Sequence, residues 1–202
     1  MRGMNRHTNS QPESGFALLM ALIVVGVVLT IGLSILDLSI KQVRLSSNAD
    51  QSEVAYHAAN AGMECARFIR RSESDAMEDG EDISDINPSC FGVGTYAEDF
   101  TDHTGESYVP PVNEVELYQY EYSFSWGSSC TLINTLVASS SPLVVGTLEV
   151  TDMDTLVRGY PNLVWDFQPG EKPTVISVRG FNKSCNNIDS YGTIQRELLI
   201  EF

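Results

Sequence analysis

From Phe16 to Leu36 the chain runs apolar for 21 residues, broken only by Thr30 and Ser34 and carrying no charge. A bilayer's hydrocarbon core takes about 20 helical residues, so the run is long enough to span one. The apolar part of a cleaved secretory signal is shorter, roughly 7–15 residues, and ends in a small-x-small cleavage site. This run ends in Leu36-Asp37-Leu38, which is a poor site. Residues 1–15 before it, MRGMNRHTNSQPESG, are polar and carry Arg2, Arg6 and His7. Positive charge on that flank places it on the cytoplasmic side. The polar stretch stops at Gly15 and the apolar run starts at once with Phe16.

The pattern beyond the run is helical. From Leu38 to Arg71 there is no proline, and Gly62 is the only glycine. Val54, Ala58, Ala61, Cys65 and Phe68 recur at spacings of 4, 3, 4 and 3, which marks one helix face. Asp50, Glu53, Asn60, Glu64 and Arg67 lie on the other side. Arg67, Arg70 and Arg71 fall in the last turns, where cations complement the helix dipole. The two stretches read as one helix from Phe16 to about Arg71, on the order of 80 Å long at ~1.5 Å per residue. Ala58, Ala59, Ala61 and Gly62 are small and would let another element approach closely.

A short polar leader ending in glycine, then a helix half apolar and half amphipathic, resembles the type IV pilin and pseudopilin family. The stretch YHAANAGMECARF (Tyr56–Phe68) resembles the A-(E/N)-A-G-(M/L)-E signature of PilX-like minor pilins. The resemblance covers residues 13–71. It implies that prepilin peptidase cuts after Gly15 and that the new N-terminal Phe16 is methylated. It implies an α+β, pilin-like fold, with one long helix packed on an antiparallel β-sheet head. The expected divisions are a leader at 1–15, a helix at 16–71 with its transmembrane part at 16–36, and an extracytoplasmic head at 72–202. The implied partners are prepilin peptidase, the cytoplasmic membrane before assembly, and other pilins through the N-terminal helix in an extracellular pilus.

One departure from the family pattern is informative. Most major pilins carry a glutamate at the fifth residue after the cleavage site. Here that position is Met20, and no acid occurs in the run from Phe16 to Leu36. An ionised carboxylate in hydrocarbon costs a few kcal/mol unless paired. Its absence fits a minor or tip subunit rather than a bulk one.

Residues 72–202 read as a single β-rich head. The stretch Ser72–Ser89 is acidic and turn-rich, and is expected to be a solvated loop. It does not meet the spacing of a calcium loop, because Met77 falls where an oxygen ligand is needed, and Asp152 and Asp154 stand apart. Tyr118, Tyr120, Tyr122, Phe124 and Trp126 alternate with polar residues, the pattern of a half-buried strand whose aromatic face covers the helix. Gly127-Ser128-Ser129 predicts a hairpin into Cys130–Val137, with further strands at 144–150, 163–167, 174–181 and 193–202. A net charge of −15 disfavours a nucleic-acid partner.

The four cysteines, Cys65, Cys90, Cys130 and Cys185, include no C-x-x-C pair, which argues against zinc. An even count on the exported side points to two disulfides, and four cysteines allow three pairings. Cys65–Cys90, from helix end to first loop, and Cys130–Cys185, from strand to loop, are preferred. No nucleophile elbow or phosphate-binding glycine loop occurs, and beyond the leader only His57 and His103 remain. A non-catalytic structural subunit without a cofactor is therefore expected. The alternative is a signal-anchored receptor or enzyme domain that stays in the membrane.

Overall fold

The computed structural model describes residues 14–106, 115–143 and 145–202. It opens with helix α1, Ser14–Ser72. The chain divides into two compact units at Asn48 and Ala49, so α1 contributes to both. In the first unit the helix is exposed on every side as far as Asn48. The two polar interruptions of its apolar run bond to their own backbone: Thr30 Oγ1 donates to the Val27 carbonyl at 2.8 Å, and Ser34 Oγ to the Thr30 carbonyl at 2.8 Å. Neither hydroxyl needs water, which suits a helix in a non-polar medium. Gly15–Ser72 is long and apolar enough to cross a membrane.

The second unit is the α+β part. After α1 come short helices α2 (Ser74–Glu78) and α3 (Ile83–Ile86). Strands β1 (Ser89–Cys90), β2 (Val93–Gly94), β3 (Ala97–Asp102), β4 (Val115–Trp126), β5 (Ser129–Ser140) and β6 (Leu148–Val150) follow. Then come α4 (Met153–Leu156), β7 (Trp165–Phe167), β8 (Thr174–Phe181), a 3₁₀ turn (Cys185–Asn187) and β9 (Gln195–Glu201). The main sheet has the order β3-β4-β5-β8-β9 and is antiparallel throughout. The expected hairpin joins β4 to β5 with Trp126 opposite Ser129, and Gly127 takes the positive φ of 68° that the turn requires.

Within this unit α1 lies on the sheet. Met63, Cys65, Ala66 and Ile69 share one core with Tyr118, Tyr120, Tyr122, Phe124, Ile133, Val137, Ile176 and Val178. The aromatic row of β4 therefore covers the helix as its alternation predicts, with Trp126 partly buried at the end. Of the face the spacing predicts, Ala58 and Cys65 are buried and Ala61 half-buried, but its bulkier ends turn outward. Val54 is 39% exposed and Phe68 65%, whereas Ala55, Ala59 and Ala66 are fully buried. The reason is distance. A Cβ on Gly180 of β8 would lie 2.2 Å from both the Ala55 carbonyl oxygen and the Ala59 nitrogen, and one on Gly62 would lie 2.1 Å from Thr131 Cγ2. At that approach small residues mark the contact, and the bulkier Val54 and Phe68 turn outward.

Three further expectations change. The acidic stretch after α1 is not simply a solvated loop: it forms α2 and α3, and it buries Met77 and Ile83 in the main core. The other face of β4 is not free either. Val115 and Leu117 join Leu136, Ala138 and Val175 in a second core closed by β6, α4 and β7, with Trp165 and Met153 at its centre. β6 is shorter than the strand expected at 144–150, whose first residue lies outside the described residues.

Candidate functional site

The leader expected at 1–15 lies almost wholly outside the described residues; Ser14 and Gly15 already belong to α1. A Cβ added to Gly15 would meet no neighbouring group within 4 Å, and Phe16 is 69% exposed. Gly15 and Phe16 thus sit on an open helical turn. Met20 is exposed on the same helix, as are Leu18, Leu22, Ile23 and the apolar residues up to Leu36. This exposed apolar surface is long enough to cross a membrane.

The four cysteines form Cys65–Cys90 and Cys130–Cys185, with Cα separations of 5.8 and 4.8 Å. The first ties α1 to β1. The second ties β5 to the 3₁₀ turn between β8 and β9, where Phe181 packs on the bridge. Both disulfides are buried, and each joins a different pair of elements in the helix–sheet unit.

Polar groups at the seam between α1 and the sheet were not legible in the sequence pattern. Thr131 Oγ1 donates to the Ala58 carbonyl at 2.9 Å and accepts from Trp126 Nε1 at 2.7 Å. Arg70, on the helix end, is buried. Its Nη2 meets Glu78 Oε1 at 2.6 Å and its Nε donates to Thr174 Oγ1 at 2.9 Å. Lys172 Nζ reaches the other Glu78 oxygen at 2.7 Å. Burial alone would raise the Glu78 pKa, but hydrogen bonds from Lys172 and Arg70 and their charges outweigh it and hold the carboxyl below its ordinary value. Burial, with Glu116 and Asp102 nearby, pushes the Tyr118 hydroxyl up to about 12. Tyr120 donates to the Met77 carbonyl at 3.2 Å, fastening α2 over the sheet.

The two histidines among the described residues lie apart. His57 is exposed on α1, 3.5 Å from Glu53. His103 is buried after β3, with Nε2 2.7 Å from Gln119 Oε1 and Nδ1 3.4 Å from Glu106. Among the described residues no group of three or more His, Cys, Asp or Glu side chains is placed to hold a metal ion. Compared with known proteins, the chain matches no family model, no curated protein and no solved structure.

Proposed function

We propose that the protein is a minor pilin, which enters or primes a type IV pilus or a related pseudopilus after prepilin peptidase removes residues 1–15. The observation that carries this reading is α1. One continuous 59-residue helix is exposed and apolar as far as Leu36, and from Ala49 it is the spine of a disulfide-bonded β-rich unit. A membrane anchor alone requires only the first part. A helix that must leave lipid for a bundle of like helices requires an apolar surface in both places, with the folded part attached to it. Arg2 and Arg6 keep the leader in the cytoplasm, and the head then lies outside. The role is structural, with no cofactor. The contacts are prepilin peptidase at Gly15–Phe16 and other pilins along the apolar helix. Met20 in place of a glutamate makes it a low-copy component.

The test is a substitution at the junction. Gly15→Gln places a long side chain where the peptidase must reach the backbone, and the protein should then accumulate at its unprocessed size. A Gly15→Gln protein that still migrates at the mature size would refute the assignment.

A further inference from the structure

We propose that the open edge of β9 is a docking site for an extended, acidic strand of a partner protein, added to the main sheet by backbone pairing. This goes beyond the pilin reading and does not rest on it. β9 is the last strand of the sheet. The reciprocal bonds between Thr174 and Phe202, at 2.8 and 3.1 Å, fix which of its residues face β8. In an antiparallel ladder every second residue pairs inward, so Arg196, Leu198 and Ile200 bond β8, while Gln195, Glu197, Leu199 and Glu201 point their N–H and C=O groups outward. Among the described residues no backbone bond takes up these outward groups.

Edge strands are usually guarded by charge. The opposite edge, β3, follows that rule: its sequence AEDFTD carries Glu98, Asp99 and Asp102 on exposed positions. β9 has charged residues too, but each is tied back into its own fold. Arg196 Nε donates to Ser52 Oγ on α1 at 2.7 Å. Glu197 accepts from Ser177 Oγ at 2.9 Å. Glu201 accepts from Tyr160 at 2.8 Å and from Trp165 Nε1 at 2.9 Å. The donors to Glu197 and Glu201 are neutral, so both keep their charge, but they lie on the face away from α1, where the incoming strand presents its apolar side chains.

The chemistry beside the edge selects what pairs there. Arg67 and Arg71 of α1 flank Ile200 and Phe202 in a groove of about 290 Å³. The side chains of an added strand that face α1 would lie over this groove. Residues 49–202 hold eight Lys and Arg against 25 Asp and Glu, so a paired arginine site is an exception on this unit. An alternating strand whose carboxylates face α1, for the two guanidinium groups, and whose apolar residues lie on its other face beside Leu199 matches it. Arg67 then exchanges or shares its 3.2 Å contact with Glu64 of its own helix. Backbone pairing supplies affinity and the side-chain groove supplies selectivity.

The test uses the full chain in detergent micelles and two probes: a blocked, alternating valine–glutamate peptide and its valine–lysine counterpart. The glutamate peptide should slow amide exchange at Glu197, Leu199 and Glu201 by about tenfold or more, and the lysine peptide should not. Arg67→Glu with Arg71→Glu should reverse that preference. Leu199→Pro removes only an outward N–H, so the ladder to β8 stays intact, and it should abolish the protection. Four results would overturn the proposal: no protection from either peptide, equal protection from both, protection at β3 instead of β9, or peptide-free protection that grows with protein concentration.

Discussion

At the scale of single residues, the chain's tightest constraints fall on groups that carry no hydropathy signal. Gly180 is the clearest case, since Ala55 and Ala59 of α1 lie directly on its backbone. Gly180→Ala should destabilise the β-rich unit by about 3 kcal/mol, the upper range for overpacking, read as a lowered urea midpoint with an unchanged slope. Ala59→Arg should prevent folding of that unit through an unpaired buried charge, whereas the same change at half-buried Ala61 should be better tolerated. Glu78 makes stability depend on pH on the acid side. Its folded pKa lies below the ordinary 4.5, so its stabilising effect is complete above that pH and is lost as pH falls through the lower folded value. Glu78→Gln should cost on the order of 3 kcal/mol at neutral pH, because Arg70 keeps a buried charge without its anion. The gap between variant and parent should narrow in urea melts carried out below pH 4.5.

At the scale of elements, periodicity is legible in the sequence and distance is not. Alternation locates β4 and its aromatic face, and β8 has the bounds that the sequence predicts, because both strands are long and carry one strongly apolar side. The buried face of α1 is harder to read. Apolar bulk marks burial where side chains separate two backbones, but at a backbone-to-backbone contact alanine and glycine mark it instead. β1, β2 and β3 carry no apolar alternation: β3 is exposed at five of its six positions, so only its pairing with β4 defines it. The second core is hidden for the same kind of reason, since Val115 and Leu117 lie before the stretch in which the alternation of β4 is clear. The disulfides act between elements. They close spans of 25 and 55 residues, worth roughly 3.5 and 4 kcal/mol in the chain-entropy account. Non-reducing peptide mapping should recover Cys65 with Cys90 and Cys130 with Cys185. Double replacement of either pair by alanine should lower the thermal midpoint measurably, and an unchanged midpoint would contradict a stabilising role.

At the scale of the whole molecule, the apolar helix and the β-rich unit obey different solvents. A chain starting at residue 41 omits the apolar run and keeps the compact unit that begins at Ala49. It should be soluble under oxidising conditions and unfold in one cooperative transition; a broad, non-cooperative melt would show that this unit depends on the removed segment. On the minor-pilin proposal, Met20 implies low copy, and quantitative mass spectrometry of sheared filaments should find the protein far below the main subunit. The proposed processing site rests on the sequence alone, on a glycine–phenylalanine boundary against a 21-residue apolar run. The β9 edge is not legible there, because an open edge exists only once neighbouring strands are placed. The central claim, that this is a processed filament subunit rather than an anchored domain, is decided at one covalent position. Mass spectrometry of the N-terminal peptide from the membrane-bound protein should find a chain that begins at an N-methylated Phe16. An N-terminal peptide that still begins at Met1 would contradict it.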